Sequence, residues 1–170
     1  MKQKAVDILA ENRLMAIATL GADGWPHNTF VGYANDDLQI YFVVSRQGQK
    51  FANIAHDERV SIVIGRDFHN PSSIRALTIA ARASEVRDPR QRDRAIDMLL
   101  HQRPGLKRLE RPNPENSAVM RASPHTITIL DYSKGFGHSD VLTVGPGGLA
   151  TMTPARDDDW GYGATFKPVS

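Results

Sequence analysis

The chain has 170 residues, 41% of them hydrophobic and 24% charged, with a formal net charge of +2, which suits one soluble globular domain with a closed core. No Lys/Arg block is present to track a nucleic-acid backbone and no apolar run is long enough to span a bilayer, so neither nucleic acid nor a membrane is an expected partner. Cysteine is absent, which removes disulfides, thiolate metal ligands and a thiol nucleophile and fits a reducing, cytoplasmic setting.

Residues 2–12 predict a short amphipathic helix with Ala5, Ile8 and Leu9 on one face, its mixed acidic and apolar residues unlike a signal peptide. Leu14 to Leu20 is an apolar run closed by Gly21-Ala22-Asp23-Gly24, a buried strand and its turn. Pro26 to Tyr33 alternates, with Asn28 and Phe30 on one face and Thr29 and Val31 on the other. Asn35-Asp36-Asp37 is hairpin-turn chemistry, and Leu38 to Val44 is rich in β-branched and aromatic residues. Together these predict a three-stranded antiparallel meander. The polar loop Ser45-Arg46-Gln47-Gly48-Gln49-Lys50 follows, opening into a helix over 48–56. Two readings fit that loop. Hydroxyl, amide and cationic donors at a helix N-terminus suit a phosphate, and basic side chains on an ordinary surface loop also serve solubility alone.

Further on, 59–65 reads as a strand, 66–73 as a polar loop, and 74–87 as a long alternating strand. Asp88-Pro89 is a helix start, and the helix runs to about His101 with Ile96, Leu99 and Leu100 inward, until Pro104-Gly105 stops it. Residues 105–123 are helical in tendency but broken by Pro112 and Pro114. Strands are expected at 126–132 and 140–144. Residues 145–170, rich in Gly, Pro and Asp, read as an irregular tail, either disordered or laid as an arm over a neighbouring surface. The expected organisation is a mainly β domain over 1–144 with flanking helices, a six- to seven-stranded antiparallel β-barrel, followed by the tail. A closed barrel also removes the edges that strands rich in Val and Ile would expose.

The wording of 15–64, MAIATLGADGWPHNTFVGYANDDLQIYFVVSRQGQKFANIAHDERVSIVI, resembles the FMN-binding split-barrel family related to pyridoxamine 5'-phosphate oxidase. The likeness continues through IRALTIAARASEVRD at 74–88 and TITILDYSKGFG at 126–137, about two thirds of the chain in the family's order. The resemblance implies a flavin across the second and third strands with its phosphate at the loop and helix start that follow. On this sequence the second-strand contacts fall on Asn28, Thr29, Phe30 and Val31, and the third-strand contacts on Phe42 and Val43. Ser45, Gln49 and Lys50 would meet the phosphate. The family's Ser-Arg-Lys or Ser-Lys-Lys is Gly48-Gln49-Lys50 here, so Arg46 is the candidate for the missing charge. A dianion needs about two cations, or oriented N–H groups in their place, to offset its desolvation.

Departures from the oxidase point away from vitamin B6 chemistry. Its Arg-Leu-His-Asp-Arg type signature has no counterpart in WGYGATFKPVS, its flavin-strand lysine falls near Gly32-Tyr33, and its Arg-Gln-Val is Arg75-Ala76-Leu77. The resemblance therefore implies an FMN-binding flavoprotein that acts as an oxidoreductase on a small organic substrate, as a cytoplasmic homodimer with flavin at the subunit interface. The same fold leaves deazaflavin F420 or haem as alternatives, or a non-enzymatic flavin-binding or sensor module. A cation beside the flavin N1–C2 edge would raise its potential, and His27 and Arg75 are candidates. Arg75 is equally a surface residue at a strand start, and a histidine after Pro26 is more simply exposed. Trp25 suits the barrel end and Trp160, in the tail, a partner's flavin. The other histidines lack metal-ligand spacing, and no metal is expected.

Overall fold

The computed structural model describes residues 1–66, 69–105, 110–148 and 150–156. In chain order these form α1 (Lys2–Glu11), β1 (Leu14–Leu20), β2 (Pro26–Asp36), β3 (Gln39–Ser45), α2 (Gln49–His56), β4 (Arg59–Gly65), β5 (Arg75–Glu85), α3 (Pro89–Gln102), β6 (Ser117–Asp131), β7 (Ser139–Val144) and β8 (Ala150–Arg156). The strands make one antiparallel sheet in the order β3-β2-β1-β4-β5-β6-β7-β8, and a further β3–β6 pairing closes the first six into a barrel. The architecture is mainly β, as expected, with β7 and β8 running on beyond the closure.

Alternation builds the core. Met15 and Ile17 on β1, Tyr33 on β2, Ile40 and Phe42 on β3, Ile62 and Ile64 on β4, Leu77 and Ile79 on β5, and Ile127 and Ile129 on β6 are all fully buried. The predicted meander forms, with turns that need left-handed backbone at Gly24 (φ 83°) and Asp37 (φ 54°). Helix α1 buries Ala5, Ile8 and Leu9 against the barrel, and Lys4 forms an ion pair with Asp131 at the end of β6. Helix α3 starts as predicted, with the Asp88 carboxylate accepting from the Gln91 N–H at 2.8 Å and Pro89 in its first turn. Its Ala95 and Ile96 pack with Val86 and Val119, and Tyr41 and Val43 lie against them, forming a second apolar cluster.

Two expectations are corrected. The helical tendency at 105–123 gives way to strand from Ser117 onward, because Ser117–Ala122 pairs with β3 while the overlapping Met120–Asp131 pairs with β5. Helix-forming Ala118, Met120 and Ala122 are 1%, 2% and 0% exposed there, so burial between two ladders overrides local preference. Pro124 is accommodated where the β5–β6 register shifts, with Ala81 opposite Pro124 and Ala80 opposite Thr126. The irregular reading from 145 onward is overturned at 150–156, where β8 pairs with β7. The Gly-Pro-Gly-Gly stretch before it is only the turn, with Gly147 and Gly148 at φ 75° and 76°. Trp160 and the rest of the tail lie outside the described residues.

Candidate functional site

The barrel opens between β2 and β3. Their ladder runs only from Tyr33 to Asp36 against Phe42 to Gln39; beyond it, residues 26–32 of β2 pair with β1 alone and 43–45 of β3 with β6 alone. A cleft of about 290 Å³ lies there, lined by His27 and Val31, by Val43, Val44 and Ser45, and by Gly48, Gln49 and Lys50. Its floor is apolar and β-branched, its far end is the start of α2, and the β2 side is a strand edge whose backbone groups have no β3 partner. Edge groups of this kind can hydrogen-bond the rim of a flat heterocycle.

The α2 end carries the polar chemistry. No side chain caps the helix. The Phe51 and Ala52 amides both donate to the Gly48 carbonyl, at 3.1 and 3.3 Å, which leaves the Gln49 and Lys50 amides without a partner among the described residues. Lys50 is half-buried, and its Nζ donates to the Thr29 hydroxyl on β2, a contact that spans the cleft. Burial lowers its pKa below the usual lysine value. Among the described residues no carboxylate pairs with it. The Gln49 amide donates to Asn53 Oδ1 at 2.7 Å, and Asn53 Nδ2 donates to Thr19 Oγ1 at 3.0 Å. That chain ties α2 to β1.

The sequence-predicted residues separate into those the cleft collects and those it does not. Val31, Val43, Ser45, Gln49 and Lys50 line it, and Thr29 meets Lys50. Phe42 does not: its side chain is fully buried in the barrel core, since strand alternation sends 42 inward and 43 outward. Asn28 and Phe30 are exposed, on the opposite face of β2 from Thr29 and Val31. Arg46 is already engaged, its Nε donating to the Pro114 carbonyl at 2.8 Å and its Nη2 to Glu85 at 2.6 Å, with its guanidinium 5.5 Å from the Phe51 ring centroid. It braces α2 and the β5–β6 region instead of lining the cleft. Arg75 is exposed at the start of β5, opposite Asp131 on β6, and forms no part of the cleft. The sequence reading missed Val44, Gly48 and the Asn53–Thr19 link. A polar residue on the inward face of a short helix was the available signal for Asn53.

Comparison with known proteins agrees with this architecture. Residues 1–131 match the family model described as pyridoxamine 5'-phosphate oxidase, and the chain belongs to that split-barrel family. Over 67 residues it is 31% identical to general stress protein 26 of Bacillus subtilis, a match covering 39% of this chain and 47% of that protein. Among solved structures, a haem-binding protein from Mycobacterium smegmatis superposes with a TM-score of 0.71 at 23% identity, over 84% of this chain and 57% of that one. The haem storage protein of Vibrio cholerae gives 0.57 at 20% identity, over 72% and 88%. The chain thus spans about half the length of the Bacillus relative. The structural likenesses establish the fold.

Proposed function

We propose that this protein is an FMN-binding flavoprotein whose flavin occupies the β2–β3 cleft. The observation that carries the reading is Lys50, a half-buried ammonium with no carboxylate partner among the described residues, beside unpaired amides at the start of α2. That is a donor set for a phosphate, and the apolar Val31–Val43–Val44 floor with the free β2 edge suits a flat ring system. Bound flavin supplies two-electron redox chemistry of its own. The chain's part is to hold the phosphate with Lys50, Ser45 and Gln49, to seat the ring against the valines, and to exclude water along the cleft floor. In the same reading the protein acts as an oxidoreductase on a small organic substrate. Homodimerisation is supported by an apolar row on the outer barrel face, where Phe30 on β2 opposes Ala16 on β1 and Ala16 opposes Val63 on β4. Phe30 is 76% exposed, Leu14 56% and Val63 48%.

The test is addition of FMN to the purified protein with flavin fluorescence followed. Saturable quenching at micromolar concentration is expected, and its absence refutes the flavin reading. A second reading, haem in place of flavin, is favoured by the structural likeness to two proteins whose names record haem. The visible spectrum separates them, since haem gives a Soret band and flavin its two lower-energy bands. Continuous oxidation of a nicotinamide by the flavin-loaded protein supports an enzyme over a carrier.

A further inference from the structure

Four lysines lie among the described residues, and three of them are paired with carboxylates. Lys2 Nζ lies 2.6 Å from Asp37, Lys134 Nζ lies 2.9 Å from Asp140, and Lys4 pairs with Asp131. Lys50 differs. Its Nζ donates to the neutral Thr29 hydroxyl, and no carboxylate pairs with it among the described residues. It lines a cleft whose floor is Val31, Val43 and Val44. A paired ammonium must give up its ion pair before it can lose a proton, whereas Lys50 gives up none. Burial in those surroundings disfavours its charged form and lowers its pKa. The Thr29 oxygen occupies one N–H of the neutral amine and leaves the nitrogen lone pair free.

We propose that Lys50 is a covalent-modification site, whose amine captures small aliphatic aldehydes as an imine when the cleft holds no cofactor. A desolvated lysine free of a carboxylate partner is the form in which this side chain acts as a nucleophile. The capture needs the cleft and the amine, and not the flavin. An aliphatic chain suits the valine floor, and a cleft of about 290 Å³ has room for a small one.

The lining also selects the electrophile. It includes no carboxylate to act as a general base, and imine formation balances without one. The Nζ lone pair forms the N–C bond to the carbonyl carbon. Both protons of the neutral amine end on the carbonyl oxygen, the C–O bond breaks and water leaves. Nothing is oxidised or reduced. The same apolar floor limits the water that would hydrolyse the imine.

Butanal is the probe. The whole chain, without added cofactor, is treated with it near neutral pH beside sodium cyanoborohydride, which reduces each imine to a stable secondary amine. Peptide mass mapping then gives the labelling rate at each lysine. Lys50 is expected to label about fivefold faster than Lys2 and Lys134, the factor that one surface ion pair is worth. Exposure alone predicts the reverse order, since the Lys2 and Lys134 side chains are 44% and 43% exposed and Lys50 is half-buried. A Lys50 rate no greater than theirs overturns the proposal. In denaturing urea the rates should converge, and a Lys50 advantage that survives unfolding overturns it too, because the fold is then not its cause. FMN failing to quench while Lys50 outpaces the paired lysines removes the flavin reading and leaves this one standing. Quenching by FMN with Lys50 no faster than the others does the opposite.

Discussion

Lys50 and Phe42 differ in how far local sequence determines what a side chain does. A lysine placed where a strand hands over to a helix has a helix start beside it, so the anion-binding role proposed for Lys50 rests on its sequence neighbours. Phe42 and Val43 look interchangeable in a run of β-branched and aromatic residues. Which of them faces the core depends on the register against β2 and β6, which no local pattern fixes. The engagement of Arg46 was not legible for a related reason, since its partners Glu85 and Pro114 are far away in sequence. The prediction for Lys50 is direct: Lys50→Ala weakens FMN binding by about 1.5–3 kcal/mol, as expected for a lost charged hydrogen bond, in a fluorescence titration. Unchanged affinity removes Lys50 from the site.

Asp131 carries a second prediction at this scale. Burial alone would raise its pKa, but the Lys4 ammonium and the Ser133 hydroxyl and amide hold it down to about 2. An unfolded aspartate titrates at about 3.9. The folded-state value is the lower one, so the stabilisation is complete above about pH 4 and is lost as pH falls toward 2. Acid unfolding followed by circular dichroism should therefore show a loss in that window. Asp131→Asn should flatten that step while lowering stability at neutral pH by about 2 kcal/mol through the lost Lys4 pair. A variant that keeps the acid step assigns the loss to other carboxylates.

Among the elements, α2 is the one on which the cleft depends. It has only eight residues, too few to be stable alone, and its position comes from tertiary ties: buried Ile54, the Arg46 brace and the Gln49–Asn53–Thr19 chain. Asn53 is 2% exposed, so Asn53→Leu should strip the Thr19 hydroxyl of its Asn53 donor, leaving it only its 3.4 Å bond to the His27 carbonyl, and lower stability by about 1–3 kcal/mol. The same change frees the end of α2 that carries Lys50, so FMN affinity should fall as well, although Asn53 touches no ligand. Chemical denaturation and the FMN titration, run on one sample, check both parts, and an affinity unaffected by a loss of stability detaches α2 placement from binding. The elements were legible in proportion to their locality. Helices α1 and α3 and the β1–β2–β3 meander announce themselves by period, caps and turns. Strand β6 does not, because its first half is strand only by virtue of two partners, one of them more than seventy residues upstream.

For the whole molecule, the proposed homodimer would cover the apolar row Phe30–Ala16–Val63. Scattered apolar residues on a surface are ordinary, but Leu14, Phe30 and Val63 share one face across three adjacent strands. The same strand β2 carries Phe30 outward and Thr29 and Val31 toward the cleft, so a partner seated on the row would also stiffen one wall of the site. A stable homodimer buries about 800 Å² on each chain, which calls for more than Phe30 alone. Phe30→Glu places a charge at the centre of that face, where desolvating it within a contact is costly. Light scattering should give twice the chain mass for the unmodified protein and the single mass for Phe30→Glu. The loosened β2 should then hold FMN more weakly, even though the substituted side chain points away from the cleft. An unmodified protein that runs as a monomer defeats the interface, whereas a monomeric Phe30→Glu with undiminished FMN affinity keeps the interface and severs it from the site.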